Sequence, residues 1–530
     1  MHVVLATGIS SVVTQLLTIR ELLTQFQGNE IVIALILFVW LILGGMGTLI
    51  ARLVSRSQRQ GTVRQLAWLS FSLAAISPLQ IIAIRWLRDV FFIHGASVGF
   101  YPIIGFIFAV LTPYCLILGF VLPFSLFVLR NQDPEYPGAR IYILDNLGDV
   151  TGGALFSFAL VFIFSPFQAI FAAHLPLLAA SIMLFPTRQR YRPLPFLAAG
   201  IVLIVLSGGI IIEKTSLQPP EGDLIEYRES LYGRITVHRD REQFTLFEDG
   251  TPLFSSANLI MAEESVHYPL SQLLKPDRIL LISAEGGVMK ELQKYSPREI
   301  DYVELNPAIT DVLFLYGLVE RITGLRVIHR DGRAYLSETD RIYDAIIVNL
   351  PEPDTFQINR FFTGEFFQLA RSHLSPDGIL SFSMQGFDNY LAEPQRQKVS
   401  SLYNTAGDHF SNVQLLPGQR IYFLCTAKPI STDIPARLTA KGVQTDYIHG
   451  YYYGNLTPQR IERLNALVDT TTPKNFDTTP YLMRIMFQQW FSKFSTSPAV
   501  FILFMAVLCL IYLIRITREE FVLFSTGCMT

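Results

Sequence analysis

The chain has 530 residues, 50% of them hydrophobic and only 16% charged, with a net charge of −2. Soluble proteins carry about 25% charged residues, so the composition argues against a wholly soluble chain. The near-neutral balance gives no basic surface for nucleic acid, which is not expected as a partner. No lysine precedes Lys214, and up to Glu213 the permanent cations are arginines set in short breaks between long apolar runs. The chain therefore divides into a helical module over 1–213, a β-rich lead-in over 214–257, an α/β domain over 258–430, an extension over 431–495 and an apolar tail over 496–530. Cys115, Cys425, Cys509 and Cys528 lie far apart without metal-type spacing, so neither a disulfide framework nor a metal site is expected.

A helix needs about 20 apolar residues to cross a bilayer. The pattern predicts spans over 2–23, 30–51, 66–84, 99–129, 142–165, 168–186 and 194–213, and an eighth over 498–514. The fourth is overlong and holds Pro113 and Pro123, which predicts a kink or a part-interfacial segment. The first lacks a basic leader and a small-residue cleavage site, so it reads as a retained helix. Arg52, Arg56, Arg59, Arg64, Arg130, Arg140, Arg188, Arg190, Arg192, Arg515 and Arg518 fall on one side of these spans, against Arg20, Arg85 and Arg88 on the other. Cation-rich short loops face the cytoplasm. The reading is a multi-pass protein of a bacterial inner membrane, its N-terminus inside and its soluble module outside.

Arg20 and Glu21 close the first span, whereas Asp145, Asn146 and Asp149 open the fifth on the other face, too far away to pair at about 1.5 Å per residue. They read as snorkelling and capping groups. Asp145 and Asp149 share one helix face, which leaves a cation path as the alternative. Gly44, Gly45, Gly47, Gly148, Gly152 and Gly153 suit close helix packing. The stretch Phe521–Thr530 echoes Val3–Ser11: either a second helical repeat of a longer chain begins there, or the match is chance.

In the soluble module, 233–239 and 243–248 alternate like paired strands, and Asp249-Gly250 is a turn signal. Strands are predicted at 278–283, 300–304, 326–329, 343–349 and 378–383. Helices at 259–273, 288–294, 307–318, 362–374 and 392–405 lie between or around them, and 412–416 with 420–426 form a closing antiparallel pair. This is a doubly wound, mostly parallel sheet, whose ligands bind at the carboxyl ends of the strands. Candidate site residues fall at those ends. Ser283, Glu285, Gly286 and Gly287 form a small-residue loop with one acid. Glu304 is placed to accept two ribose hydroxyls, and Asp331-Gly332 suits an adenine amino group. Asn349 and Glu352 follow the fourth strand. Each alone is as well read as a helix cap or turn; together they favour a nucleoside pocket.

From about 228 to 390 the chain resembles the polyamine aminopropyltransferase family, the spermidine synthases. The resemblance is carried in order by Phe247-Glu-Asp-Gly250, Glu263 through Pro269-Leu270, Leu281-Ile-Ser-Ala-Glu-Gly-Gly287, Tyr302-Val-Glu-Leu305, Asp331-Gly332 and Asn349-Leu-Pro-Glu-Pro353. The spans ahead of it and Asp477-Thr-Thr-Pro-Tyr481 up to Trp490 are similar to the membrane-fused, multi-span branch of that family. The resemblance implies a Rossmann-like, methyltransferase-type domain with a small N-terminal β-domain. It implies transfer of an aminopropyl group from decarboxylated S-adenosylmethionine to putrescine, with no metal and no further cofactor.

The attacking amine is protonated near neutral pH, so a carboxylate has to take its proton and others have to hold a dication. The resemblance puts Asn349 at the family's base position and Glu352 at its second acid. The family's Asp-Glu-x-x-Tyr segment falls on Ala257, Asn258 and Met261, and its glutamine after the Asp-Gly turn on Leu253. The nucleoside half is thus expected to be kept and the diamine half stripped. His267 reads as a base or as a satisfied core histidine. Tyr447, Tyr451, Tyr452 and Tyr453 read as a cation-binding wall or as packing, and Lys290 and Lys294 as solvated charges.

Three functions remain. One is a membrane-bound transferase using an adenosyl-type co-substrate. The second is a catalytically silent domain that binds a nucleoside or polyamine-like ligand, or docks a membrane partner. The third is a transporter or assembly factor with the domain as scaffold. Asn349 and the outward-facing domain both argue against efficient spermidine synthesis.

Overall fold

The computed structural model describes residues 1–26, 30–57, 61–93, 98–185, 193–219, 222–256, 258–284, 286–386, 390–449, 454, 456–492, 499–508, 510–511 and 514. Among the described residues, seven helices are long and apolar enough to cross a membrane: α1 (His2–Gln25), α2 (Glu30–Ser57), α3 (Val63–Phe91), α4 (Phe100–Arg130), α5 (Gly138–Ile163), α6 (Pro166–Met183) and α7 (Leu194–Ile211). Large apolar side chains cover their outer faces, among them Leu41, Val150, Phe158 and Ile204. Helix α4 runs on through Pro113 and Pro123, and α5 carries a π turn at Phe156–Leu160. Of the predicted eighth span, Ala499–Leu508 is described as a short helix. The tail echo at 521–530, Cys509, Cys528 and the side chains of Arg56, Arg59, Arg188, Arg190, Arg192, Arg515 and Arg518 lie outside the described residues.

Two helix pairs are packed backbone to backbone. A Cβ on Gly148 would come within 2.4 Å of the Leu5 carbonyl, binding α5 to α1, and one on Gly119 within 2.1 Å of the Gly44 carbonyl, binding α4 to α2. Gly152 and Gly47 meet equally tight contacts, whereas a Cβ on Gly45 would meet open space and one on Gly153 only ordinary contact. These last two fall off the contact stripe, so the expectation of close packing fails for them.

Beyond α7, β1 (Asp223–Glu229), β2 (Arg234–Asp240), β3 (Gln243–Glu248) and β4 (Thr251–Ser255) form an antiparallel meander. The β2–β3 turn is at Arg241. The Asp249-Gly250 signal instead joins β3 to β4, with φ of 48° and 73° that suit an aspartate followed by glycine.

Helix α8 (Leu259–Leu270) leads into a seven-stranded sheet. Its strands are β5 (Arg278–Ile282), β6 (Glu299–Val303), β7 (Leu325–Ile328), β8 (Tyr343–Val348), β9 (Leu374–Gln385), β10 (Asn412–Pro417) and β11 (Arg420–Thr426), in the order β10-β11-β9-β8-β5-β6-β7. Strands β5 to β9 run parallel, and β11 lies antiparallel between β9 and β10. This is a Rossmann-like, methyltransferase-type sheet. Alternate residues of each strand face opposite sides: Ile279 and Leu281 enter one core and Leu280 and Ile282 the other. The extension joins these cores through Ile434, Ile461 and Ile485.

The meander is anchored to the helices by charge. Glu21, 1% exposed, is gripped twice. Arg85 of α3 donates to both its oxygens at 2.9 Å, and Arg234 of β2 does so at 2.7 and 2.8 Å. Arg234 also reaches Glu229 at 2.6 Å, and Arg20 bonds Glu229 and the Ser230 carbonyl. A Cβ on Gly250 would stand 2.5 Å from the Thr24 carbonyl, so the turn rests directly on the end of α1. The snorkelling reading of Arg20 and Glu21 is therefore corrected: Arg20 is held by the soluble module, and Glu21 by Arg234 of that module together with Arg85 of α3. The α/β domain sits at the arginine-poor end of the bundle, where Glu30 also accepts from the Phe356 amide and Trp490 donates to the Val98 carbonyl.

Removing one member of a buried charge set costs about 3–5 kcal/mol. Glu21→Gln is expected to lower stability by that amount in detergent, seen as a lower melting temperature and faster proteolysis between Ile212 and Asp223. An unchanged melting curve would show that charge does not hold the junction.

Candidate functional site

The strand order reverses between β5 and β8, which makes the carboxyl ends of these strands the topological switch point of the sheet. Ser283 leaves β5 with φ of 60°, a conformation few non-glycine residues adopt. Its amide bonds the Val303 carbonyl at 3.0 Å and its hydroxyl donates to Glu304 at 3.2 Å. Glu304, 7% exposed, also accepts the Asn306 amide at 3.4 Å. Asn306 reaches across to Glu248 of β3 at 2.8 Å and to the Ser230 hydroxyl at 3.0 Å. Burial, and then the nearby Glu248 carboxylate, push the Glu304 carboxyl up to about 7. Burial likewise raises Glu248.

Gly286 packs so closely that a Cβ would lie 2.1 Å from the Ser255 carbonyl, and Gly287 starts the helix Val288–Gln293. Glu285 and Ala257 lie outside the described residues. A Cβ on Gly332 would stand 2.9 Å from Ile282 at the end of β5. Asp331 caps the helix Gly332–Glu338, accepting the Ala334 amide at 2.9 Å, and pairs with Arg360. Its carboxylate thus already has protein partners.

The Asn349 amide bonds the Ile282 carbonyl at 2.9 Å, while its side-chain nitrogen is buried without a partner among the described residues. Ser283, Glu304, Gly332 and Asn349 therefore gather around the end of β5. Glu352 lies farther along, accepting the Gln385 amide at 2.5 Å, with Lys398 at 3.7 Å and Arg420 at 3.9 Å. Lys398 is 3% exposed and also pairs with Asp354 at 2.9 Å. Burial raises the Glu352 carboxyl, with both cations opposing the shift. Asn258 precedes α8 and Met261 lies in its first turn; Leu253 lies on β4.

Other acids of the motif region hold the fold. Glu263 accepts the amides of Asp446, Tyr447 and Ile448 at 2.6, 3.1 and 3.0 Å, clasping the extension, and Glu264 accepts the Gln419 amide. His267 is a satisfied core histidine, 2.7 Å from Glu291 and 2.9 Å from the Tyr295 hydroxyl. Lys294 is not a free solvated charge; it reaches Glu291 at 2.5 Å and the Gln444 carbonyl at 2.9 Å. Tyr447 is exposed, and Tyr451, Tyr452 and Tyr453 lie outside the described residues.

Residues 258–423 match the spermine/spermidine synthase domain. The C-terminal part of the chain carries a spermine/spermidine synthase domain. Among similar proteins, a polyamine aminopropyltransferase of Oceanobacillus iheyensis is 30% identical over 267 residues, 46% of this chain and 51% of its own length. Polyamine aminopropyltransferase 1 of Streptomyces coelicolor is 22% identical over 361 residues, 63% of this chain and 68% of its own. This chain thus spans about half the length of the first relative and about two thirds of the second. A crystal structure of a spermidine synthase with the transition-state analogue AdoDATO aligns with 17% identity and a TM-score of 0.40, covering 46% of this chain and 89% of that one.

Sequence reasoning did not find Lys398 or Arg420 beside Glu352, nor the approach of Glu248 to Glu304. Lys398 sits on the polar helix Glu393–Ala406, where a lysine reads as solvated. The Asn306-Pro307 pair, a cap with proline at the first helical position, was the available signal for the bridge to Glu248.

The titration of Glu304 gives the synthase domain a pH signature. A carboxyl raised in the fold holds its proton where the unfolded chain has lost it. The free domain is therefore expected to lose stability as pH rises from about 4.5 to about 7. Hydroxyl donors favour the ionised form, so adenosine or 5′-methylthioadenosine is expected to bind more tightly as pH rises through about 7, with proton release. Calorimetry in buffers of different ionisation enthalpy measures both, and Glu304→Gln is expected to abolish the pH dependence. A pH-independent affinity in the wild type would remove Glu304 from the site.

Proposed function

We propose that this is a multi-pass membrane protein whose synthase domain binds an adenosyl-type nucleoside at the ends of β5 to β8 and is not an efficient spermidine synthase. The nucleoside half rests on Ser283, Glu304 and Gly332 converging at the switch point. The observation that carries the second half is the charge around Glu352. Buried Lys398 and half-buried Arg420 flank the acid, so a dicationic diamine would meet cations where it needs counter-charge. Asn349 has no basic group to take the proton an attacking amine sheds as its nitrogen displaces the sulfonium sulfur.

A non-enzymatic docking role is the second reading. A hydrogen-bond path from Glu304 through Asn306 and Ser230 to Arg20 favours it, joining the nucleoside site to α1. The arginine asymmetry orients the domain away from the cytoplasm in this proposal; labelling of engineered surface cysteines with an impermeant thiol reagent reads that side.

Full-length protein given decarboxylated S-adenosylmethionine and putrescine is expected to release no 5′-methylthioadenosine, although it binds that nucleoside. Asn349→Asp alone is expected to leave it inactive, because Lys398 and Arg420 remain. Turnover comparable to an active synthase would overturn the reading.

A further inference from the structure

The helical module contains a cavity that the synthase domain does not explain. It measures about 380 Å³ and lies between the two tightly packed pairs, α1 with α5 and α2 with α4. Thr7 and Ser11 border it from α1, Trp40 and Thr48 from α2, and Asp145 and Asp149 from α5. The acids lie in the half of the bundle away from the synthase domain, one helical turn apart on one face. Thr7 is 4% exposed, and its hydroxyl has no hydrogen-bond partner among the described residues. A buried hydroxyl without a partner carries a cost that a bound donor removes. Carboxylates at membrane depth are costly unless something pairs with them, and neither aspartate has an ion pair with any described cation.

We propose that this cavity binds an aliphatic amine with two cationic ends, a diamine or short polyamine. The two carboxylates match two separated ammonium groups. The hydroxyls of Thr7, Ser11 and Thr48 supply further acceptors, and Trp40 offers a face to a cation or to methylenes. The space is large for a bare metal ion held by touching oxygens, and within the range of small-molecule sites. The proposal concerns the helices alone and does not rest on what the synthase domain does.

Equilibrium dialysis of the full chain in nanodiscs with radiolabelled 1,4-diaminobutane at physiological salt tests it. Saturable binding is expected, weakened at least about tenfold by Asp149→Asn and lost in the Asp145→Asn, Asp149→Asn double variant, with unchanged melting temperature. Butylamine is expected to compete poorly. In an otherwise wild-type chain, Thr48→Cys is expected to be protected from a thiol reagent by the diamine, which reports on the cavity even if the aspartate variants misfold. Absence of saturable binding, undiminished affinity in the folded double variant, unprotected Thr48→Cys, or displacement by sodium or potassium as effective as by diamine would each overturn the proposal.

Discussion

A single buried carboxylate, Glu21, determines how the two halves of this protein meet. Leaving an isolated charge in an apolar interior costs tens of kcal/mol in the limiting case, so Glu21 at the end of α1 demands a cation. It has two, Arg85 from a neighbouring helix and Arg234 from the meander. The guanidiniums are in turn shared with Glu229, the Glu213 carbonyl and Ser216. Because each group needs the others, β2 cannot shift relative to α1 without exposing unpaired charge. That restraint passes up the meander. Gly250 is pressed on Thr24, Asp249 receives the Arg234 amide, and β3 carries Glu248 to the edge of the candidate nucleoside site.

The synthase domain is consequently built against the helical module, and its electrostatics differ between the two halves of the candidate site. Around β5 and β6 the groups are acceptors: burial raises both Glu304 and Glu248, with the nearby Glu248 carboxylate adding to the first shift and Asp249 to the second. Around Glu352 the groups are mostly satisfied cations and anions, Lys398 with Asp354 and Glu352. The domain match, 258–423, covers the sheet up to β11, while Glu263 ties the extension beyond it into the same core.

The helical module shows the complementary design. Glycine contacts close α1 against α5 and α4 against α2, and close backbone approach is what holds helices together when lipid removes the hydrophobic incentive. Small residues bring each pair into backbone contact and leave the space between the pairs for other side chains. The polar groups of that space are drawn from helices on both sides, so it belongs to no single element.

Spans, strands and the placement of acids at strand ends were legible in the amino-acid order because they follow from local periodicity and composition. An apolar run of some twenty residues or a short β-branched stretch between turns carries its meaning within one window. The turn at Asp249-Gly250 and the packing role of Gly148 were marked by local signals, whereas the approach of Gly119 to Gly44 and the partners of His267, 24 and 28 positions away, were not. The partners of charges were not legible. Arg234 lies 213 positions from Glu21, and Lys398 sits in a helix that reads as solvated although it is buried against Glu352. A lysine, arginine or aspartate looks the same in a sequence whether water, a headgroup or an opposite charge awaits it. Coulomb energy depends on separation in space and on local polarity, and folding alone sets both.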